Sequence, residues 1–220
     1  AVHHGFLDIA FLRGFPGMVL MAPADEAELL AALKLAMQLD GPSAIRYPRD
    51  DVPEPLGPPP PFVPGRSRTV RDGSDAIVLA YGSTVSHALD AAELLAADDV
   101  GVRVINARFA KPIDEQMLVE SLTAGVPVIT VEDHCVTGGF GSAVLEAAQE
   151  LRLPTGHLVR LGLPADRFVP HGSRAGQLAE CRIDAAGIAA VVQEQLHGAP
   201  NRPRLRRADG IAAPRPAGRA

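Results

Sequence analysis

The chain has 220 residues, of which 47% are hydrophobic and 21% charged, so it can hold one large or two small domains with an ample core. Its formal net charge of −5 is unevenly placed, because residues 198–220 carry +5 and the remainder carries −10. No apolar run is long enough to span a bilayer, since charge or proline interrupts the longer runs, and we expect no membrane partner.

The two cysteines, Cys135 and Cys181, provide neither a disulfide framework nor the spacing of a metal site. This usage suits a reducing compartment, so we expect a cytoplasmic location. The first residue is Ala1 and no signal peptide is evident, so we expect the chain to begin inside a longer protein or after a cleavage.

The first 50 residues have the pattern of a β-α-β unit. Residues 18–21 form an apolar run of strand length, and residues 25–39 repeat apolar side chains at the spacing of an amphipathic helix. Asp25 and Glu28 have the form of a capping box at the start of this helix. Residues 44–47 can then form a second, parallel strand. Units of this kind place loop residues at the strand ends, where α/β proteins build their sites.

A proline-rich segment follows. Seven prolines fall between residues 50 and 64, and proline fixes φ and removes an amide donor. We therefore interpret residues 51–65 as an extended, semi-rigid linker between two domains.

The second domain, residues 66–197, alternates strands with helices. Predicted strands cover residues 76–81, 102–106, 126–131 and 157–161, and predicted helices cover residues 84–97, 114–122, 143–151 and 185–197. Alternation at these lengths favours a mostly parallel α/β sheet.

The tail, residues 198–220, contains six arginines and one aspartate, with little apolar surface to bury. We interpret it as a disordered basic segment. No aromatic residue accompanies the arginines, so we expect no nucleic-acid partner.

Polar side chains flank the two strands of the β-α-β unit. His3 precedes the first strand and Arg49 follows the second. On sequence alone, a histidine pair such as His3 and His4 near a terminus is more often structural, and a loop arginine is more often solvated. Their position at the ends of adjacent strands is nevertheless a plausible site geometry.

Two later segments invite functional hypotheses. Residues 138–142, Gly-Gly-Phe-Gly-Ser, precede a helix and resemble a phosphate cradle, but they fit neither the P-loop nor the dinucleotide fingerprint, so close packing is the better interpretation. Residues 132–135, Glu-Asp-His-Cys, follow a strand, where successive side chains diverge, so we expect interdomain or subunit contacts instead of a metal site.

Several motifs occur together in one order. The chain contains H-x-G-x-x-D from residue 3, L-R-x-x-P-x-M-V-x-M-A-P-x-D-E from residue 12, and D-G-P-S-A-x-R-Y-P-R from residue 40. R-F-A-K-P-I-D from residue 108, T-V-E, G-G-F-G-S and G-L-P follow. Over residues 3–197 the chain resembles the 1-deoxy-D-xylulose-5-phosphate synthase family of the transketolase superfamily.

The resemblance implies the fold and the roles of two residues. Residues 1–50 would be the end of a pyrimidine-binding thiamine-diphosphate domain, and residues 66–197 a transketolase C-terminal domain. His3 would be catalytic, because an imidazole with a pKa near 6.5 can exchange protons with a developing alkoxide. Arg49 would bind the substrate phosphate through its fork of donors.

The resemblance also implies the reaction. Family members condense pyruvate with D-glyceraldehyde 3-phosphate on thiamine diphosphate and Mg²⁺, giving 1-deoxy-D-xylulose 5-phosphate, a precursor of isoprenoids, thiamine and pyridoxal, and CO₂. The family holds the cofactor through a G-D-G segment and a glutamate, both N-terminal to the histidine motif, and no such G-D-G segment occurs in this chain. We therefore expect the isolated chain to be inactive, to need an N-terminal half as partner, and to form a homodimer.

Two alternatives remain open. A β-type subunit of a 2-oxoacid dehydrogenase shares the two-domain layout, and binding of a lipoyl-domain partner would favour it. A non-catalytic dimerisation or scaffold remnant is the other, and failure to bind an N-terminal partner would favour it.

Overall fold

The computed structural model describes residues 5–58 and 61–198. His3, His4 and nearly all of the basic tail therefore lie outside the described residues. The elements run in the order α1 (Asp8–Leu12), β1 (Val19–Met21), α2 (Glu26–Ala36), β2 (Ser43–Ile45), β3 (Arg68–Arg71), β4 (Ala76–Tyr81), α3 (Thr84–Ala96), β5 (Val102–Asn106), β6 (Phe109–Lys111), α4 (Glu115–Leu122), β7 (Val128–Cys135), α5 (Phe140–Glu150), β8 (Leu158–Leu163), α6 (Arg174–Glu180) and α7 (Ala185–Leu196).

The main sheet has five strands in the order β3-β5-β4-β7-β8. Its central strand β4 is buried at every position, as expected for a strand covered on both faces. β4, β5, β7 and β8 are mutually parallel, and β3 pairs antiparallel with β5 at one edge. The predicted, mostly parallel sheet is confirmed.

Helices cover both faces of this sheet. Val78 and Ala80 point to a core shared with α3 and α7, whereas Ile77 and Leu79, one residue out of phase, point to a core shared with α4 and α5. This alternation along β4 follows from the two-residue period of a strand. The result is a three-layer α/β/α arrangement.

The predicted β-α-β unit is present, with β1 parallel to β2. Asp25 caps α2, because its Oδ1 accepts a hydrogen bond from the Glu28 amide at 2.8 Å. The helix ends at Ala36 instead of the expected residue 39. A third strand, β6, pairs antiparallel with β1 and arrives from the second half of the chain.

Four elements escaped sequence reasoning: α1, β3, β6 and α6. Two others were predicted at the wrong place: β7 continues to Cys135, four residues beyond the predicted strand end, and α5 begins at Phe140, three residues earlier than predicted. Of the proline-rich segment, residues 51–58 and 61–65 contain no helix or strand. None of the described helices is long and apolar enough to cross a membrane.

Candidate functional site

A cleft of about 430 Å³ opens where the two halves of the chain meet. The segment after β2, from Arg46 to Arg49, forms one wall, together with Gly5 and Asp8 from the start of the chain. Asp133 at the end of β7 and Arg174 in α6 form the opposite wall. The cleft lies outside the carboxyl ends of β2 and β7, where open α/β sheets place their ligands.

Arg49 lines this cleft and is exposed. Its guanidinium makes no hydrogen bond or ion pair with any residue from 5–58 or 61–198. A guanidinium with unused donors at a cleft can bind an anionic ligand through a pair of parallel hydrogen bonds.

Arg46, in contrast, has two partners. Its Nε donates to both carboxylate oxygens of Asp8, at 3.1 and 2.9 Å, and its Nη2 donates to the backbone oxygen of Asp133. The side chain is 18% exposed. Arg46 thus joins α1 to the end of β7.

Arg174 is engaged in the same way. Its Nε lies 2.5 Å from Oδ2 of Asp50, its Nη1 donates to Oδ2 of Asp133 at 2.8 Å, and its Nη2 donates to the Ser83 hydroxyl at 3.3 Å. Burial lowers the pKa of Arg174, but the carboxylates of Asp133 and Asp50 outweigh burial, so its pKa is raised. Of the three arginines that line the cleft, only Arg49 is therefore free of a partner among the described residues.

The backbone amides of the glycine-rich turn before α5 already bind a carboxyl group of the protein itself. The Glu132 carboxylate, fully buried, accepts hydrogen bonds from the amides of Phe140 at 2.6 Å and Gly141 at 2.9 Å. Burial raises the pKa of Glu132 to about 7, although the two amides oppose the shift. The ring of Phe140 stacks on Tyr81 with centroids 5.1 Å apart. The turn is thus a packing feature, as expected, and its amides are occupied.

The side chains of residues 132–135 diverge, as expected. Asp133 contacts Arg174, while the buried His134 lies with Nε2 3.7 Å from Oδ1 of Asp8. Burial lowers the pKa of His134, which keeps the imidazole neutral. The Cys135 amide donates to the Phe6 carbonyl at 3.1 Å. These residues therefore join the start of the chain to β7, which confirms the predicted interdomain contacts.

The described residues contain no cluster of metal ligands, and the amides of one candidate anion site are occupied. Within 5–58 and 61–198, no group of three or more His, Cys, Asp or Glu side chains could hold a metal. The N-terminus of α5, which follows the glycine-rich turn, is filled by Glu132. Cys135 and Cys181 are free thiols.

His3, the predicted catalytic residue, lies outside the described residues, but Gly5, two positions later, lines the cleft with Arg49. Sequence reasoning missed Asp8, Asp50 and Arg174, which organise the cleft through ion pairs between distant segments. Asp8 belongs to the H-x-G-x-x-D motif, and this was the only available signal.

Two family models match the chain. Residues 65–188 match the transketolase C-terminal domain, and residues 1–55 match the transketolase pyrimidine-binding domain. These matches confirm the predicted fold class.

Relatives named 1-deoxy-D-xylulose-5-phosphate synthase are similar in sequence. The protein from Geobacillus thermodenitrificans is 46% identical over 190 residues, which cover 85% of this chain and 30% of the relative. The protein from Thermus thermophilus is 47% identical over 189 residues, covering 86% of this chain and 29% of the relative. The chain thus spans about 30% of the length of these relatives, and the motif resemblance is confirmed.

Solved structures agree on the fold. A protein described as a split gene transketolase, inactive β4 tetramer, superposes with a TM-score of 0.81 at 35% identity, covering 89% of this chain and 63% of the other. A transketolase from Pichia stipitis superposes with a TM-score of 0.68 at 22% identity, covering 89% of this chain and 28% of the other, which supports the fold alone.

Proposed function

The chain belongs to the transketolase family, and we propose that it forms the C-terminal part of a 1-deoxy-D-xylulose-5-phosphate synthase. The enzyme would condense pyruvate with D-glyceraldehyde 3-phosphate, giving 1-deoxy-D-xylulose 5-phosphate and CO₂. Relatives at 46% and 47% identity carry this name, which supports the proposal. The two free cysteines suit the cytoplasm as its location.

In this proposal, Arg49 binds the phosphate of D-glyceraldehyde 3-phosphate. The observation that carries it is the contrast within the cleft: Arg46 and Arg174 are ion paired, and Arg49 has no partner among the described residues. Asp8 and Asp133 are neutralised by these pairs, so they oppose an incoming phosphate less than free carboxylates would. An arginine whose donors are unused supplies both the charge and the fork geometry that a phosphate requires.

We assign His3 to proton transfer at the reacting carbonyl. Gly5 and Phe6, which follow His3 by two and three positions in the sequence, line the cleft, and this supports the assignment. A histidine with an ordinary pKa can both accept and return a proton at neutral pH.

Thiamine diphosphate and Mg²⁺ would be bound by the part of the relatives that this chain does not span. The described residues offer no metal cluster, and the α5 amides are taken. When bound, the cofactor would supply the stabilised carbanion that attacks the aldehyde. The chain's own contribution is to bind and orient the phosphorylated acceptor and to move a proton.

In this proposal the chain has two protein partners. An N-terminal half would complete the enzyme, and homodimer formation would cover exposed apolar side chains on α2 and directly after it, where Leu30, Leu33 and Met37 are 54, 47 and 90% exposed. The isolated chain would then be inactive, and the similarity to an inactive split-gene β4 tetramer supports this.

Reconstitution tests the proposal. The chain is co-expressed with the part of the Thermus thermophilus relative that precedes the matched segment, and product is followed by ¹³C NMR from labelled pyruvate. We expect product only with both parts, thiamine diphosphate and Mg²⁺. Pyruvate consumption by the chain alone would refute its predicted inactivity, and capture of a lipoyl domain would favour the 2-oxoacid dehydrogenase alternative.

Variants test the residue roles in the reconstituted enzyme. Arg49→Ala is expected to raise KM for D-glyceraldehyde 3-phosphate by about 30-fold or more, because a charge-assisted bidentate contact is lost. The matched control is Arg167→Ala, which removes an exposed arginine paired with Glu180. Equal effects of the two variants would contradict the role of Arg49.

A further inference from the structure

We infer that Arg174 is a positioning residue, which fixes the Arg46–Asp50 segment so that Arg49 is held ready for a phosphate group. The inference rests on the proposed function and extends it, because it gives the transketolase C-terminal domain a part in substrate binding. Arg174 lies in α6 of that domain, whereas Arg49 follows β2.

The segment that carries Arg49 is anchored on both sides. Three residues before Arg49, the Arg46 guanidinium binds Asp8 and the Asp133 backbone oxygen. One residue after Arg49, the Asp50 carboxylate binds Arg174. A short segment held at both ends loses little further conformational freedom when a ligand binds, so the affinity of the group between the anchors increases.

Arg174 is held by three contacts. Its three guanidinium nitrogens face Asp50, Asp133 and Ser83 at 2.5, 2.8 and 3.3 Å. A phosphate near Arg174 would compete with two carboxylates for this guanidinium, whereas Arg49 has no partner among the described residues. Arg174 therefore acts through Asp50, as a positioning residue.

The ion pair between Asp50 and Arg174 also changes the electrostatic surroundings of the Arg49 guanidinium. Asp50 adjoins Arg49 in the chain, so a free Asp50 carboxylate would compete with phosphate for the Arg49 guanidinium. Its pairing with Arg174 removes that competitor. Asp50 and Arg174 are 43 and 28% exposed, so solvent screens the pair and its influence on affinity is moderate.

Binding to the whole chain tests the inference without catalysis. Affinity for D-glyceraldehyde 3-phosphate and for unphosphorylated D-glyceraldehyde is measured by ¹H–¹⁵N NMR titration at low salt. We expect Arg174→Ala and Asp50→Asn each to weaken binding of the phosphorylated compound by about two- to fivefold. Binding of D-glyceraldehyde, the thermal unfolding midpoint and the spectrum far from the cleft are expected to stay unchanged.

Two further variants separate positioning from bulk stability. The double variant Asp50→Asn/Arg174→Ala is expected to bind no more weakly than Arg174→Ala, because the pair between Asp50 and Arg174 is already lost in the single variant. Arg174→Lys keeps the charge and is expected to recover part of the affinity, and Arg167→Ala is expected to match the unmodified chain. If Arg174→Ala does not fold, Asp50→Asn tests the same pair from the other side.

The outcomes distinguish this inference from the proposed function. If Arg49→Ala abolishes the preference for the phosphorylated aldehyde while Arg174→Ala and Asp50→Asn bind normally, the positioning role is wrong and the proposed function stands. If the unmodified chain shows no such preference, or Arg49→Ala retains it, the phosphate role of Arg49 fails and the positioning role fails with it.

Discussion

Removal of the Arg108 side chain is expected to destabilise the protein strongly. Arg108 and Glu28 form an ion pair that is buried on both sides, at 1 and 0% exposure. Arg108 Nε donates to Glu28 Oε1 at 2.8 Å, and Nη2 lies 2.7 Å from the same oxygen. The other oxygen, Oε2, accepts from the Asn106 amide at 2.7 Å and the Ala24 backbone amide at 3.1 Å. Because α2 carries Glu28 and the β5–β6 connection carries Arg108, the pair joins the two halves of the chain.

The magnitude follows from what the substitution leaves behind. Arg108→Met keeps most of the side-chain volume but leaves the Glu28 carboxylate buried without its cation, which costs about 3–5 kcal/mol. Loss of the contact between the guanidinium and the Phe62 ring, 4.9 Å from its centroid, adds to this. The double variant Glu28→Met/Arg108→Met is expected to cost less than the sum of the single variants, because no isolated charge remains.

Urea unfolding followed by circular dichroism measures these changes. The matched control is Arg182→Ala, whose ion pair with Glu194 is 46% exposed on both sides and is expected to contribute less than about 1 kcal/mol. A loss below about 1 kcal/mol for Arg108→Met, or strict additivity with Glu28→Met, would refute the reasoning.

Three further predictions concern other buried groups. Burial raises the pKa of Glu132 from 4.5 to about 7, so the folded state binds this proton more tightly than the unfolded state, and the contribution of Glu132 to stability falls as pH rises from about 4.5 to 7. The stability of Glu132→Gln relative to the unmodified chain should therefore increase between pH 5 and pH 8. A difference in urea unfolding that does not depend on pH would contradict this. Gly139→Ala would place a Cβ 2.6 Å from the Cys135 carbonyl oxygen and is expected to lower the free energy of unfolding by about 1–3 kcal/mol. Its control is Gly156→Ala, which has open space around the new Cβ and is expected to change stability little. Equal unfolding midpoints for the two variants would contradict the packing argument. Asp25→Ala is expected to lower the free energy of unfolding by about 1–2 kcal/mol, and by more than Asp184→Ala does. Asp25 caps α2 and also accepts a hydrogen bond from the Leu56 backbone amide at 2.9 Å, whereas Asp184 only caps α7. Equal losses of stability in urea unfolding would count against a contribution from the Leu56 contact.

The main sheet could be predicted because its strands carry their signal locally. β4 is a continuous apolar run, which indicates a buried strand. Asp114 and Asp184 are N-cap residues, which indicate the start of α4 and α7. β3 is polar, an edge strand whose sequence Arg-Thr-Val-Arg offers no apolar alternation of its own. β6 has only three residues and is stabilised by pairing with β1, about 90 positions earlier, so its local sequence does not predict a strand.

The organisation of the cleft was harder to predict, because it depends on contacts between residues that are far apart in the sequence. The position of Arg49 after a strand is a local feature, and it identified that residue as a candidate. The ion pairs from Arg174 to Asp50 and from Arg46 to Asp8 join residues 124 and 38 positions apart. Glu28 likewise looked like a capping residue, which it is, but its buried partner Arg108 lies 80 positions away. No periodicity connects such residues, so only the fold reveals them.

The pairing of β6 with β1 bears on how this chain can be recombined with its relatives. In a hybrid joined within the proline-rich segment, β1 from one parent would have to pair with β6 from the other parent. The two strands would pair in antiparallel register, with Leu20 opposite Lys111. Mismatched side chains there would expose the edge of a three-stranded sheet. A crossover placed after Lys111 would instead inherit both strands from one parent, and such hybrids are the ones expected to yield well-folded protein.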